Sequence, residues 1–224
     1  MIVACAVYKD GERIAEPEHF DELYEATRDQ NAIVWLGLHE PTNEEIAVIA
    51  REFEIHELAL EDAVHAHQRP KLERYGDVLF LVLRPARYDD ETETVEFGEI
   101  HVFAGPAFVI TIRHGEASEL GRVRRAMESR PQLLREGPMA IVHAVADRVV
   151  DDYAPVLMGL ENDIDEIESE VFSGTPTASR RAYELIREVI ELRRATQPLP
   201  DTLARLVDEA PTTEERRYLR DVHD

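Results

Sequence analysis

Cysteine occurs once in the 224 residues, as Cys5 inside the apolar run IVACAVY. A lone thiol excludes a disulfide framework, points to a reducing compartment, and in such a run behaves as a small buried hydrophobe. Basic charge is scarce: 25 Lys+Arg stand against 47 Asp+Glu, a net charge of −22. A chain so acidic repels phosphate backbones and attracts cations, so no nucleic-acid partner is expected. The N-terminus lacks the basic segment of a secretory signal, and no apolar run approaches the roughly 18 residues a membrane helix needs. The expectation is therefore a soluble, cytosolic chain. Catalytic signatures are missing too. There is no GxSxG, no HExxH, no glycine-rich loop to cradle a phosphate and no sulfur-rich ligand set, so the sequence makes no case for an enzyme.

What is present is organised in two halves. IVACAVY and ERIA, joined by Lys9-Asp10-Gly11, read as a hairpin, because Asp-Gly supplies positive φ in a tight turn. A helix is expected over 18–28, then a buried strand, AIVWLGL. PTNEEIAVIAREF announces a second helix, with Thr42 or Asn43 as its cap and carboxylates in the first turn. A short third helix ends at Pro70. Three strand-like runs follow, VLFLVLRPARY, TVEFGEIHVFAG and AFVITIRH. This is the pattern of an α/β domain, a mixed β-sheet with packed helices, over residues 1–137.

From 138 onward, helical periodicity takes over. Val145, Val149, Tyr153, Val156, Leu160, Ile164, Ile167 and Val171 recur at steps of three and four, which reads as one long helix. SGTP at 173–176 breaks it, and Val189, Leu192, Thr196, Leu199, Leu203 and Leu206 continue the spacing on a returning arm. Residues 138–212 thus read as a long antiparallel helical hairpin, kinked at Pro198 and Pro200. Another helix begins near Thr213, and the pattern runs on to Asp224, as it would if the helix continued beyond it.

Two acidic features carry candidate chemistry. ENDIDEIESE at 161–170 lacks the mid-loop glycine of a calcium loop and keeps the helical stripe, so it reads as a solvated helix face. ELALEDAVHAHQRPKLERY at 57–75 sets Glu61 beside Asp62, a repulsion that water, a cation or a basic side chain must relieve. On a helix, Glu61 and His65 share a face and His67 does not, which argues against a zinc site built from the three. Magnesium asks for only one or two carboxylates and keeps several waters. Glu61-Asp62, or Asp147 with Asp151-Asp152, would suffice, and so would ordinary solvated helix surfaces contain such pairs.

LALEDAVHAHQRPKLERYGDVLFLVLR resembles the signature of the cytosolic domain of the CorA family of magnesium and divalent-cation transporters. The resemblance continues in order through FVITIRH, AVADRVVDDYAPVL, IDEIESEVF, ELRRATQPLPDTLARL and YLRDVHD, and is strongest from about residue 52. It implies an α/β domain feeding a helical hairpin, then a stalk helix whose start is residues 213–224. Its members are homo-pentamers whose cytosolic domains lie on the cytoplasmic face of the cell membrane, anchored by two C-terminal helices with a GMN motif at the pore mouth; neither the helices nor the motif occurs in these residues. By motif, the resemblance assigns Asp62 and Asp221 to a Mg2+ site between neighbouring subunits, and Glu61 with Asp147 to a weaker one. Gln68, Arg69 and Lys71 are left with structural roles. A relative moving Co2+, Ni2+ or Zn2+ is the near alternative, and a metal-dependent hydrolase using Glu61, Asp62 and the histidines the remote one.

Overall fold

In a computed structural model of the chain, residues 2–17, 23, 26, 32–64 and 68–223 are described. The expected helix over 18–28 lies outside them except for Leu23 and Ala26, and His65 and His67 lie outside entirely.

Strand β1 (Ile2–Lys9) turns through Asp10 and Gly11, with φ of 52° and 80°, into β2 (Glu12–Ala15). At Gly11 a Cβ would stand 2.0 Å from the Pro131 carbonyl oxygen, so close packing and positive φ both demand glycine there. After β3 (Ala32–His39) comes helix α1 (Asn43–Glu52), opened by a capping box in which Thr42 and Glu45 exchange hydrogen bonds. The eight-residue α2 (Glu57–Val64) precedes β4 (Lys71–Tyr75) and β5 (Val78–Leu83). The sequence reading missed β4 as a separate strand; the Gly76 turn, at φ 60°, folds it back on β5.

Two runs read as single strands are each split. At Arg84-Pro85 the chain leaves β5 for β6 (Ala86–Asp89), and at Gly98 it passes from β7 (Thr94–Phe97) to β8 (Glu99–Ala104). Proline cannot donate to a ladder, and the Gly98 N–H bonds the Pro85 carbonyl at 2.9 Å, so β6 and β7 peel off together as a two-stranded ribbon. With β9 (Phe108–His114) the main sheet has seven strands in the order β2-β1-β3-β9-β8-β5-β4. Among the described residues only the β3–β9 pair is parallel, with Leu36 opposite Ile110. This is the mixed sheet the sequence led one to expect.

Alternation along the strands makes two cores. Cys5, Val7, Val34, Leu36, Phe80, Val82, Phe103 and Ile110 face one side, where Ile46 and Ile49 of α1, Phe53 just after it, and Ala59 and Ala63 of α2 cover them. Burial pushes the Cys5 thiol up to about 11, as expected for an inert hydrophobe. Tyr8, Trp35, Leu81, Ile100, Val102 and Val109 face the other side, under the remaining helices.

Those begin with α3 (Leu120–Glu128) and α4 (Pro131–Leu134), which the sequence reading did not assign. The long helix expected from 138 is two, α5 (Pro138–Asp151) and α6 (Tyr153–Ser173), parted at Asp152. Pro155 accounts for the break, since it lacks the N–H that would bond back to Asp151 and crowds that carbonyl. Only α6 forms the outgoing arm of the hairpin, while α5 lies on the sheet through Val142, Val145 and Val149. The turn at Gly174 (φ 77°) leads to α7 (Ala178–Thr196), and the expected break at the two prolines separates it from α8 (Leu199–Glu209). Three residues of the expected buried stripes are exposed, Ile164 at 49%, Val171 at 56% and Val189 at 43%. Each hairpin arm packs along only part of its circumference, and a strict reading of steps of three and four overruns it. Finally, α9 (Thr213–His223) returns over α5 and α8 through Leu219 and Val222.

Candidate functional site

Helix α2 turns Ala59 and Ala63 inward, which places Leu58, Glu61 and Asp62 on its outer side; Leu58 and Glu61 are exposed and Asp62 is half-buried. Asp62 does not stand alone. Its Oδ2 accepts from Lys71 Nζ at 2.7 Å, and the same ammonium lies 3.5 Å from Glu73. The stem of Lys71 brings that nitrogen within 5.7 Å of the centre of the Phe80 ring.

Gln68, three residues before β4, is tied to the sheet by residues the sequence reading passed over. Gln68 donates its backbone N–H to Glu99 Oε2 at 3.1 Å, and Arg84 reaches the Gln68 carbonyl at 3.5 Å. Glu99 and His101, both under 4% exposed, pair at 2.5 Å, and the His101 ring meets that of His114 at 5.5 Å. His114 in turn lies 3.2 Å from Glu40. Polar residues at alternate positions of an otherwise apolar strand, Glu99 and His101 in EIHVFA, were the available signal.

Asp147 and Asp221 lie on the opposite side of the sheet. Helix α9 starts from a second capping box, Thr212 with Glu215, and docks over α5, with the Tyr218 and His143 rings 5.5 Å apart. Asp221 is exposed in the last turn of α9, and Asp147 is half-buried on α5. Burial holds the Asp147 carboxyl above its ordinary range; the charges of Asp151 and Asp221 add to the shift and His143 opposes it. Arg148, the neighbour that could have neutralised Asp147, pairs instead with Asp152 at 2.7 Å. A cavity of about 630 Å3 opens beside this group, lined by Met127, Met139, His143, Asp147, Asp151 and Tyr218 among others.

The four residues singled out in the sequence thus form two acidic pairs on opposite faces of one chain: Glu61 with Asp62, and Asp147 with Asp221. Among the described residues, the one set of three or more metal-type ligands within 4.8 Å of each other is elsewhere, Glu93, Asp163 and Glu166. Arg181 already bridges two of these, at 2.6 Å from Glu93 and 3.2 Å from Glu166, and also pairs with Glu170. Asp163, from the run read as a solvated helix face, is instead buried at 5% exposure and accepts from the Tyr88 hydroxyl at 2.9 Å to both oxygens.

Residues 30–224 match the family model described as CorA-like Mg2+ transporter protein. A putative metal ion transporter of Bacillus subtilis, YfjQ, is 30% identical over 194 residues, spanning 85% of this chain and 60% of its own length. The cobalt/magnesium transport protein CorA of Thermotoga maritima is 27% identical over 205 residues, 88% of this chain and 58% of its own. The chain therefore spans about three fifths of these relatives. Among solved structures, the soluble domain of CorA from Methanocaldococcus jannaschii superposes with a TM-score of 0.76 at 16% identity, over the whole of this chain and 88% of that one, a likeness of fold. No helix among the described residues is long and apolar enough to cross a membrane.

Proposed function

The chain belongs to the CorA-like Mg2+ transporter family, and from that premise we propose that it is the cytosolic sensing domain of a divalent-cation transporter. In this reading, Mg2+ bound between neighbouring copies of a pentamer holds the transporter closed. The observation that carries it is the segregation of the acidic pairs. Glu61 and Asp62 lie on the α2 face of the sheet, and Asp147 and Asp221 on the α5–α9 face. Within one chain the sheet stands between them, so each pair is half a site that a second copy completes.

The chemistry follows from charge and hydration. Asp147 is partly desolvated beside two like charges, and a dication approaching that surface relieves the repulsion. Few protein ligands and retained water give Mg2+ a modest affinity, which a sensor needs if its site is to empty when the internal concentration falls. With the ion gone, the opposed carboxylates repel and the subunits separate. Oxygen ligands at all four positions favour Mg2+ over softer Co2+, Ni2+ or Zn2+.

The test is protease protection of the full-length transporter across a Mg2+ series, in the parent and in Asp62→Lys and Asp221→Lys. Protection should rise with Mg2+ in the parent. In each variant a fixed ammonium replaces a ligand, so protection is lost or becomes independent of the ion. An unchanged Mg2+ dependence in both variants would remove the site.

A further inference from the structure

We propose that Lys71 is a tethered cation that competes with the divalent ion for Asp62 and thereby sets the concentration at which the site fills. The inference rests on the intersubunit reading above and goes beyond it by assigning a role to a residue outside the ligand set.

The geometry is that of an exchangeable ion pair. Lys71 opens the edge strand β4, nine residues after Asp62, and its ammonium reaches Asp62 Oδ2 at 2.7 Å. Glu73, two residues along the same strand, waits at 3.5 Å. The stem lies against Phe80, so the nitrogen stays near both carboxylates whichever it prefers. A hydrated Mg2+ arriving at Asp62 meets a positive charge already in place and must displace it. The ammonium then has a nearby acceptor in Glu73, and the exchange leaves no charge stranded.

The consequence is quantitative. Both side chains of the pair are about a quarter exposed, with side-chain values of 25% and 26%, so the paired state is favoured about five-fold over the open one. A pre-existing state favoured by that amount leaves roughly one site in six free to bind, which weakens the apparent affinity about six-fold. Glu73 tunes the effect in the opposite sense, because it draws the ammonium away from Asp62.

The experiment uses the full-length protein and reads the Mg2+ midpoint of protease protection in the parent, Lys71→Gln, Glu73→Gln and Asp62→Asn. Lys71→Gln should lower the midpoint about six-fold, and Glu73→Gln should raise it. Asp62→Asn should abolish the dependence. If Asp62→Asn leaves the midpoint at the parent value, the intersubunit reading itself fails. If Asp62→Asn abolishes protection while Lys71→Gln leaves the midpoint unmoved or raises it, the site survives and Lys71 is only a structural tie between α2 and β4. Should Lys71→Gln not fold, Glu73→Gln decides: a midpoint at or below the parent value overturns the proposal.

Discussion

Tyr88→Phe is expected to loosen the helical hairpin from the rest of the molecule, and the size of the effect can be worked from the geometry. Tyr88 stands on the β6–β7 ribbon, with its ring against Gly159 of α6 and its hydroxyl bonded to both oxygens of Asp163 one turn on. Burial pushes the phenol well above its ordinary range, with the Asp163 hydrogen bond adding to the shift, so the hydroxyl stays a neutral donor. Asp163 is only 5% exposed. Removing the donor leaves a buried carboxylate short of its hydrogen bond, a cost of about 2–3 kcal/mol. In a chain of this length each kcal/mol moves Tm by about 2–4 °C, so the variant should melt roughly 4–12 °C lower.

A double-mutant cycle isolates the bond. Asp163→Asn removes the charge, so Tyr88→Phe should cost at least about 1 kcal/mol less in that background. Gly159 supplies an independent sign test, because a Cβ there would stand 2.5 Å from the Tyr88 ring. Gly159→Ala should therefore destabilise the parent, crowding of about 1–3 kcal/mol outweighing roughly 1 kcal/mol of helix propensity. In a Tyr88→Ala background it should stabilise. Urea denaturation followed by ellipticity reads all of these. A Tyr88→Phe variant within about 0.5 kcal/mol of the parent, or strict additivity with Asp163→Asn, would refute the reasoning.

Two further outcomes follow from buried or half-buried charge. The Glu188 carboxyl is held above its ordinary 4.5 by burial, with Asp163 and Glu184 adding to it, although Val95 donates its backbone N–H. Because the folded value exceeds the unfolded one, the penalty is full above the raised pKa and disappears as pH falls below the unfolded pKa. Glu188→Gln should thus be more stable than the parent at pH 7, with the gap closing on acidification, as denaturation midpoints across pH would record. Arg124, 8% exposed, lies over the Trp35 ring at 4.5 Å and donates to the Trp35 carbonyl at 3.0 Å. Arg124→Ala should cost about 2–3 kcal/mol and Arg124→Met clearly less, since the methionine keeps the packed stem; equal losses would show that the hydrogen bond alone mattered.

Much of the fold was legible because it rests on local rules. Asp10-Gly11, Thr42 with Glu45, Gly174 and the two prolines near 198 act through backbone conformation and caps, which a few neighbouring residues settle. Where the reading overran, a second influence intervened. Pro155 splits what periodicity joins, and Gly98 with Pro85 diverts two strands into a ribbon because their backbones meet across thirteen residues of chain.

The acidic residues show the division most clearly. Sequence alone singled out Glu61, Asp62, Asp147 and Asp221, since the residue types and the family resemblance are written in the chain. Only the tertiary structure decided that Asp62 already holds Lys71, that Arg148 turns to Asp152 and leaves Asp147 to its like-charged neighbours, and that Arg181 bridges Glu93, Glu166 and Glu170. The reason is physical. A carboxylate's character is set by which charges lie within a few ångströms and by how much water remains, and neither distance nor hydration is fixed until strands and helices far apart in the chain have packed.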